Sequence, residues 1–203
     1  ALASDDIAAL STDQVVALSA TQAASLSTAQ VAGLGSDQVA ALETADLRAL
    51  STASLRALDD AQLDGLGTAQ LQALATGQIT ALGTSQIAGL STDQIVALTS
   101  AQALVLSSAQ VGALDTAQVA ALETADLAAL RTNALRALGS DDVAALSTEQ
   151  IVALTTAQAA ALGTAQIAGL GSAQMAAMES ADVAALDTQA LRAALREAGA
   201  VLA

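Results

Sequence analysis

An eight-residue period constrains this chain more than any other feature of it. From Ser11 onward the sequence divides without a gap into octads, from Ser-Thr-Asp-Gln-Val-Val-Ala-Leu at 11–18 to the copy at 187–194. An earlier copy occupies 3–10, and Leu2 fits the last position of one before that. With the octad numbered 1 to 8, position 8 is Leu almost throughout; Met178 and Ala194 are exceptions. Position 5 is aliphatic, as in Val15, Leu47 and Ile79, and position 7 is Ala or Gly in most copies. Position 4 is mostly Gln, or Asp at 46, 126 and 182. Position 2 is Thr or Ser in most copies, and position 1 is Ser, Gly, Asp or Glu in most. A fixed short period of this kind marks a repeat architecture, in which each unit buries its apolar face only against its neighbours.

The residues favour helix. Ala, Leu and Gln are good helix formers, and the apolar pair at positions 5 and 8 has the i,i+3 spacing of one helical face. A continuous helix fails on geometry, because eight residues at about 100° each rotate the apolar stripe by roughly 80° per octad. The stripe would wind around the rod and face no single partner. A polar, cap-forming pair also interrupts every unit. Two frames fit that pair. In one, Ser11 caps a helix and forms a capping box with Gln14, while Leu10 and Val15 make a hydrophobic staple. In the other, Thr12 is the cap, and Gly67-Thr68 and Gly83-Thr84 read as a C′ glycine followed by an N-cap. The second frame is preferred here, because position 2 tolerates fewer exceptions. Either leaves a helix of about six residues, too short to stand alone, so stability must come from packing on neighbours.

The expected fold is therefore all-α: an elongated solenoid of very short helices, one per octad, with positions 5 and 8 inside. Small residues at position 7 allow close helix approach. A β-solenoid also repeats at short periods, but alanine is depleted in strands. A longer period overlies the octads. Blocks of seven are expected at 3–58, 83–138 and 139–194, with three extra octads at 59–82. Residues 1–194 form the repeat solenoid, and 195–203 a C-terminal capping segment. The unit fits a fragment of a longer array. Neither the number of octads per turn nor the handedness follows from the sequence.

Composition excludes much chemistry. The chain has no Cys, His, Lys, Pro or aromatic residue, and its net charge is −14 with only six Arg. Zinc sites, disulfides and thiol nucleophiles need residues that are missing, as do the commonest general bases and Schiff-base groups. Strong negative charge argues against nucleic acid and anionic membranes as partners. No apolar run is long enough for membrane insertion. The expectation is a protein that is not an enzyme, with no catalytic, cofactor-binding or metal-binding residues, no cofactor and an unknown protein partner.

Polar columns have plain structural readings. The Gln column is expected to satisfy backbone groups left unpaired where one helix breaks and the next begins. Asp5-Asp6, Asp59-Asp60 and Asp141-Asp142 suit helix N-termini, and lack the regular spacing of calcium repeats. The Arg residues are expected to pair with neighbouring acids such as Glu43 and Asp46. Thr12, Thr28, Thr44, Thr68, Thr76 and Thr84 form a column that either caps helices or, facing solvent, presents a hydroxyl–methyl array of the kind seen on ice-binding surfaces.

The nine residues Leu10 to Leu18 resemble the octapeptide arrays of very large, repetitive bacterial surface or secreted proteins, adhesin-like or haem-utilisation-like. The resemblance covers Ala3 to Ala194. It implies an extracellular or cell-surface spacer; no haem ligand matches, since Met175 and Met178 are the only sulfur-bearing residues. The expected function is a non-catalytic structural spacer, with a protein- or peptide-binding solenoid as the alternative and ice binding behind it.

Overall fold

A computed structural model describes residues 3–186. Each octad from 3 to 186 contains one α-helix, from α1 (Ser4–Ala8) to α23 (Ser180–Ala185), four to six residues long. No strand occurs among the described residues. The expected all-α solenoid of very short helices is what forms.

Octad 11–18 shows the local construction. Ser11 is extended (φ −71°, ψ 161°), and α2 (Thr12–Val16) begins immediately after it. The Val15 N–H donates to the Ser11 carbonyl at 3.0 Å and Ala17 to Asp13 at 3.1 Å. Leu18 then closes the segment with a tighter bond to Val15 at 3.0 Å. Position 8 is extended where it ends a helix, as at Leu50 (φ −60°, ψ 142°). Two extended residues, Leu and the cap that follows, therefore turn the chain by a corner once per octad. No described residue needs a positive φ to make that corner.

The preferred frame is one residue late. Position 1 is the N-cap, and position 2 is the first helical residue. The physical reason is reciprocal hydrogen bonding, which only the Ser11-to-Gln14 spacing allows. Gln14 N–H donates to Ser11 Oγ at 3.3 Å, and Ser11 N–H donates to Gln14 Oε1 at 2.8 Å. Gly67 and Gly83 are likewise N-caps with φ −69° and −72°, so neither is a left-handed C′ glycine.

Contacts divide the chain into two compact units, Ala1–Gln102 and Ala103–Ala203. In the first, α1 packs on α4 (Thr28–Ala32), α2 on α5 (Ser36–Ala40) and α3 (Ala20–Ala24) on α6 (Thr44–Ala49). The same step of three continues with α5 on α8 (Asp60–Asp64) and α6 on α9 (Thr68–Ala73). In the second unit α18 (Ser140–Ala145) packs on α21 (Thr164–Gly169), and α19 (Thr148–Val152) on α22 (Ser172–Ala177). Each unit is thus a three-sided coil with three octads per turn. The extra octads at 59–82 amount to one whole turn.

Positions 5 and 8 fill the coil. Val15, Val39, Leu47, Leu71 and Ile79 are fully buried, and Leu42, Leu66 and Leu82 nearly so. Leu10, Leu18 and Leu26 are only half-buried, because no described octad lies beneath the first turn. Aliphatic side chains suit this interior: every side of the coil is one short helix, and an aromatic ring would overfill the space between three of them.

Position 7 sets how closely turns approach. A Cβ added at Gly169 would lie 2.6 Å from the carbonyl oxygen of Ser140, three octads earlier, and one at Gly65 would lie 3.1 Å from that of Ser36. Alanine ordinarily stabilises a helix over glycine by about 0.5–1 kcal/mol. At Gly169 the clash is with backbone, so Gly169→Ala is expected to lower the thermal midpoint. A Cβ added at Gly77 would meet nothing within 4 Å, and Gly77→Ala in α10 (Thr76–Ala81) is expected to raise it. Paired thermal melts check both signs.

Candidate functional site

The most elaborate polar arrangement is a ladder of buried glutamines at the corners. Gln62 illustrates it. Its Oε1 accepts from the Asp59 N–H at 2.8 Å, while its own N–H donates to Asp59 Oδ1 at 2.8 Å. Its Nε2 reaches the turn below, donating to the carbonyl of Leu34 and, at 3.3 Å, to that of Val31. Those acceptors stand 28 and 31 residues earlier, where the preceding turn makes its own corner. Gln70 repeats this toward Leu42 and Val39, Gln78 toward Leu50 and Leu47, and Gln94 toward Leu66 and Leu63. In the second unit Gln150, Gln158, Gln166 and Gln174 do the same.

One side chain thus bonds three or more backbone groups around a helix break: the Val31 carbonyl also accepts from the Leu34 N–H at 3.2 Å, while the Asp59 N–H and the Leu34 carbonyl depend on the glutamine. The expected structural role of the Gln column holds locally, since Oε1 caps the N–H of its own position 1. The second half, a donor aimed at carbonyls four octads back, is not legible in the sequence, because it requires knowing that three octads make a turn. Gln14 and Gln22, in the first turn, keep the capping bond and are exposed.

The Asp pairs sit at helix starts. Asp59 caps α8, Asp6 Oδ2 accepts from the Ala3 N–H at 2.8 Å, and Asp142 Oδ2 accepts from the Gly139 N–H at 2.8 Å. Among the described residues no group of three or more acidic side chains comes together around a metal position. The expected pairing of Arg48 with Asp46 is not made. Position 6 turns outward and leaves Arg48 exposed. Asp46 at position 4 turns inward, 2 % exposed, and its Oδ2 has no hydrogen-bond partner.

The threonine column is on the surface. Thr12, Thr28, Thr44, Thr68, Thr76 and Thr84 are all exposed at the first helical position, one residue past the cap. Every third octad lies on the same side, so Thr12 and Thr84 share theirs with Ser36 and Asp60, which break the run of methyls. Exposed large apolar side chains are single: Val16, Val96, Leu104 and Val152. Val152 borders an open groove of about 330 Å³ with Thr148, Glu149 and Ala177. Among the described residues no helix is long and apolar enough to cross a membrane.

Stacked short helices with a repeated interior and a repeated corner define a tandem-repeat α-solenoid. The ALTTAQ repeat family matches this chain at 1–36, 39–76, 73–104, 119–156 and 152–178, well over half its length, and the chain belongs to that family. The hexapeptide of that name occurs here as Ala153–Gln158. It is the corner itself: Leu154 inside, Thr155 as cap, and Gln158 with its Nε2 on the Leu127 and Leu130 carbonyls at 2.8 and 2.9 Å. No curated protein matches the chain.

Proposed function

We propose that this chain is a non-catalytic structural spacer within a larger bacterial surface or secreted protein. One observation carries the reading: the buried glutamines use their polar groups in holding successive turns together, and what faces outward is mostly Ala, Ser, Thr and acidic side chains. Such an array gains length by adding turns, each contacting only its neighbours, with little change in what the surface offers. Acidic side chains spread over that surface keep copies apart in solution. The extracellular placement rests on the resemblance of the octads to surface-protein arrays.

The test uses the octads 59–82, one complete turn. Deleting or duplicating them, with fluorophores attached on either side, is expected to change the donor–acceptor separation by the same increment per turn while the far-UV helical signal per residue stays constant. Loss of cooperative folding on deletion, or a separation that does not change, would rule the spacer out.

A second reading, a peptide-binding solenoid, is favoured by the groove at Val152. Val152→Asp is then expected to abolish capture of a partner peptide without shifting the melting temperature. The exposed threonines support ice binding less well, because Ser36 and Asp60 interrupt their side; thermal hysteresis of the purified chain measures it.

A further inference from the structure

We propose that the corner at Asp46 is a proton-dependent rung of the glutamine ladder: as a carboxylate it is open, and as a carboxylic acid it closes by donating its O–H to the backbone carbonyls of the turn below. Asp46 occupies position 4, where Gln38 and Gln70 stand in other octads of the same coil. A ladder glutamine does two things there. Its Oε1 accepts from the N–H of position 1, and its Nε2 donates to carbonyls of positions 5, 6 and 8 four octads earlier, as Gln38 does to Ile7, Ala8 and Leu10. Asp46 keeps the first role, accepting a hydrogen bond from the Glu43 backbone. Its other oxygen, Oδ2, is buried and has no partner.

The register of Gln38 and Gln70 puts the carbonyls of Val15, Val16 and Leu18 beneath that corner. The Val15 carbonyl already accepts from the Leu18 N–H at 3.0 Å, so an ionised Oδ2 meets acceptors with an acceptor and is itself left buried without a donor. Taking up one proton from solvent converts Oδ2 into the donor the position calls for. Burial, and then the neighbouring Glu43, raise the Asp46 carboxyl above its ordinary value, while the bond from the Glu43 backbone opposes this. The groups around it are few. α3 and α9, packed on either side of α6, carry no titratable side chain; α2 below carries Asp13, and the Asp46 segment itself carries Glu43 and Arg48, all three exposed. Asp126 and Asp182 hold the same octad position after Glu123 and Glu179 and are buried as well.

The sign follows from proton counts. With the folded value raised, the folded chain binds more protons than the unfolded chain between the ordinary and the raised value, so this group's contribution to stability falls as pH rises through that window. The experiment compares thermal melts of the full chain, Asp46→Gln and Asp46→Asn, from pH 7.5 to pH 4. Asp46→Gln is expected to melt about 2–4 °C higher at pH 7.5, with the gap closing as pH falls; Asp46→Asn is expected to keep part of that advantage and the same pH trend. In the Asp46→Gln protein, the new side-chain amide protons are expected to show nuclear Overhauser contacts to Leu18 and slow exchange. A gap that is absent, reversed or independent of pH would overturn the proposal, as would an amide exchanging at the solvent rate.

Discussion

Leu66→Asp is expected to lose cooperative folding around the third turn of the first unit. Leu66 is 3 % exposed and ends the octad whose helix, α8, packs on α5. Removing a buried leucine side chain alone costs about 2–5 kcal/mol. A carboxylate in its place has no cation to answer it, because every Arg among the described residues is exposed, and it folds only by taking up a proton. The loss should therefore be largest at neutral pH and smaller in acid. Since each octad contacts only its neighbours, the damage spreads along the coil instead of remaining at one residue. Urea unfolding followed by far-UV circular dichroism is expected to show a lower midpoint and a broadened transition. Val16→Asp is the matched control: Val16 is 46 % exposed, and a surface change of that kind stays within about 0.5 kcal/mol. Equal midpoints for Leu66→Asp and Val16→Asp would show that position 8 does not form the interior.

Gln62→Ala should be nearly as costly, although it removes no apolar surface of consequence. The substitution leaves the Asp59 N–H without its Oε1 acceptor, and the Val31 and Leu34 carbonyls without their Nε2 donor. The Val31 carbonyl keeps the Leu34 N–H as a donor at 3.2 Å, so two groups are left unpaired, the Asp59 N–H and the Leu34 carbonyl. At about 1–3 kcal/mol for each buried polar group, a loss of roughly 2 kcal/mol or more is expected. Gln62→Glu separates the two ends of the side chain. It keeps the acceptor for Asp59 and removes the donor, and it is expected to be at least as damaging as alanine at neutral pH and partly relieved in acid. Gln14→Ala is the control, since Gln14 is exposed and its role is the cap on Ser11. A small effect at Gln14 and a large one at Gln62, in chemical denaturation, separates local capping from the bond between turns.

The helix breaks are visible in the sequence because they are local. Ser11, Gln14, Leu10 and Val15 lie within six residues, and a capping box with a staple is written in that span. The frequency of Thr and Ser at position 2 favours Thr12 as the cap, yet the reciprocal fit of positions 1 and 4 decides for Ser11. What Thr gains at position 2 is exposure at the first helical residue, where it blocks nothing. The inward direction of Leu and of position 5 follows from their spacing. Three octads per turn does not, because that number comes from how helices settle on one another across the coil. The long reach of Gln62 to Leu34 depends on it and is equally hidden. Closeness in sequence suggests Asp46 as a partner for Arg48, yet positions 4 and 6 face opposite sides of so short a helix. The expected capping segment at 195–203 lies outside the described residues.

The register of the glutamine ladder is where the account is most exposed. Nuclear Overhauser contacts from the side-chain amide protons of Gln62, in isotopically labelled protein, test it directly. Contacts to Leu34 and Val31, with those protons protected from exchange, are the expected result. Contacts confined to Asp59 and its immediate neighbours, with exchange at the rate of a free glutamine, would contradict a coil closed every three octads.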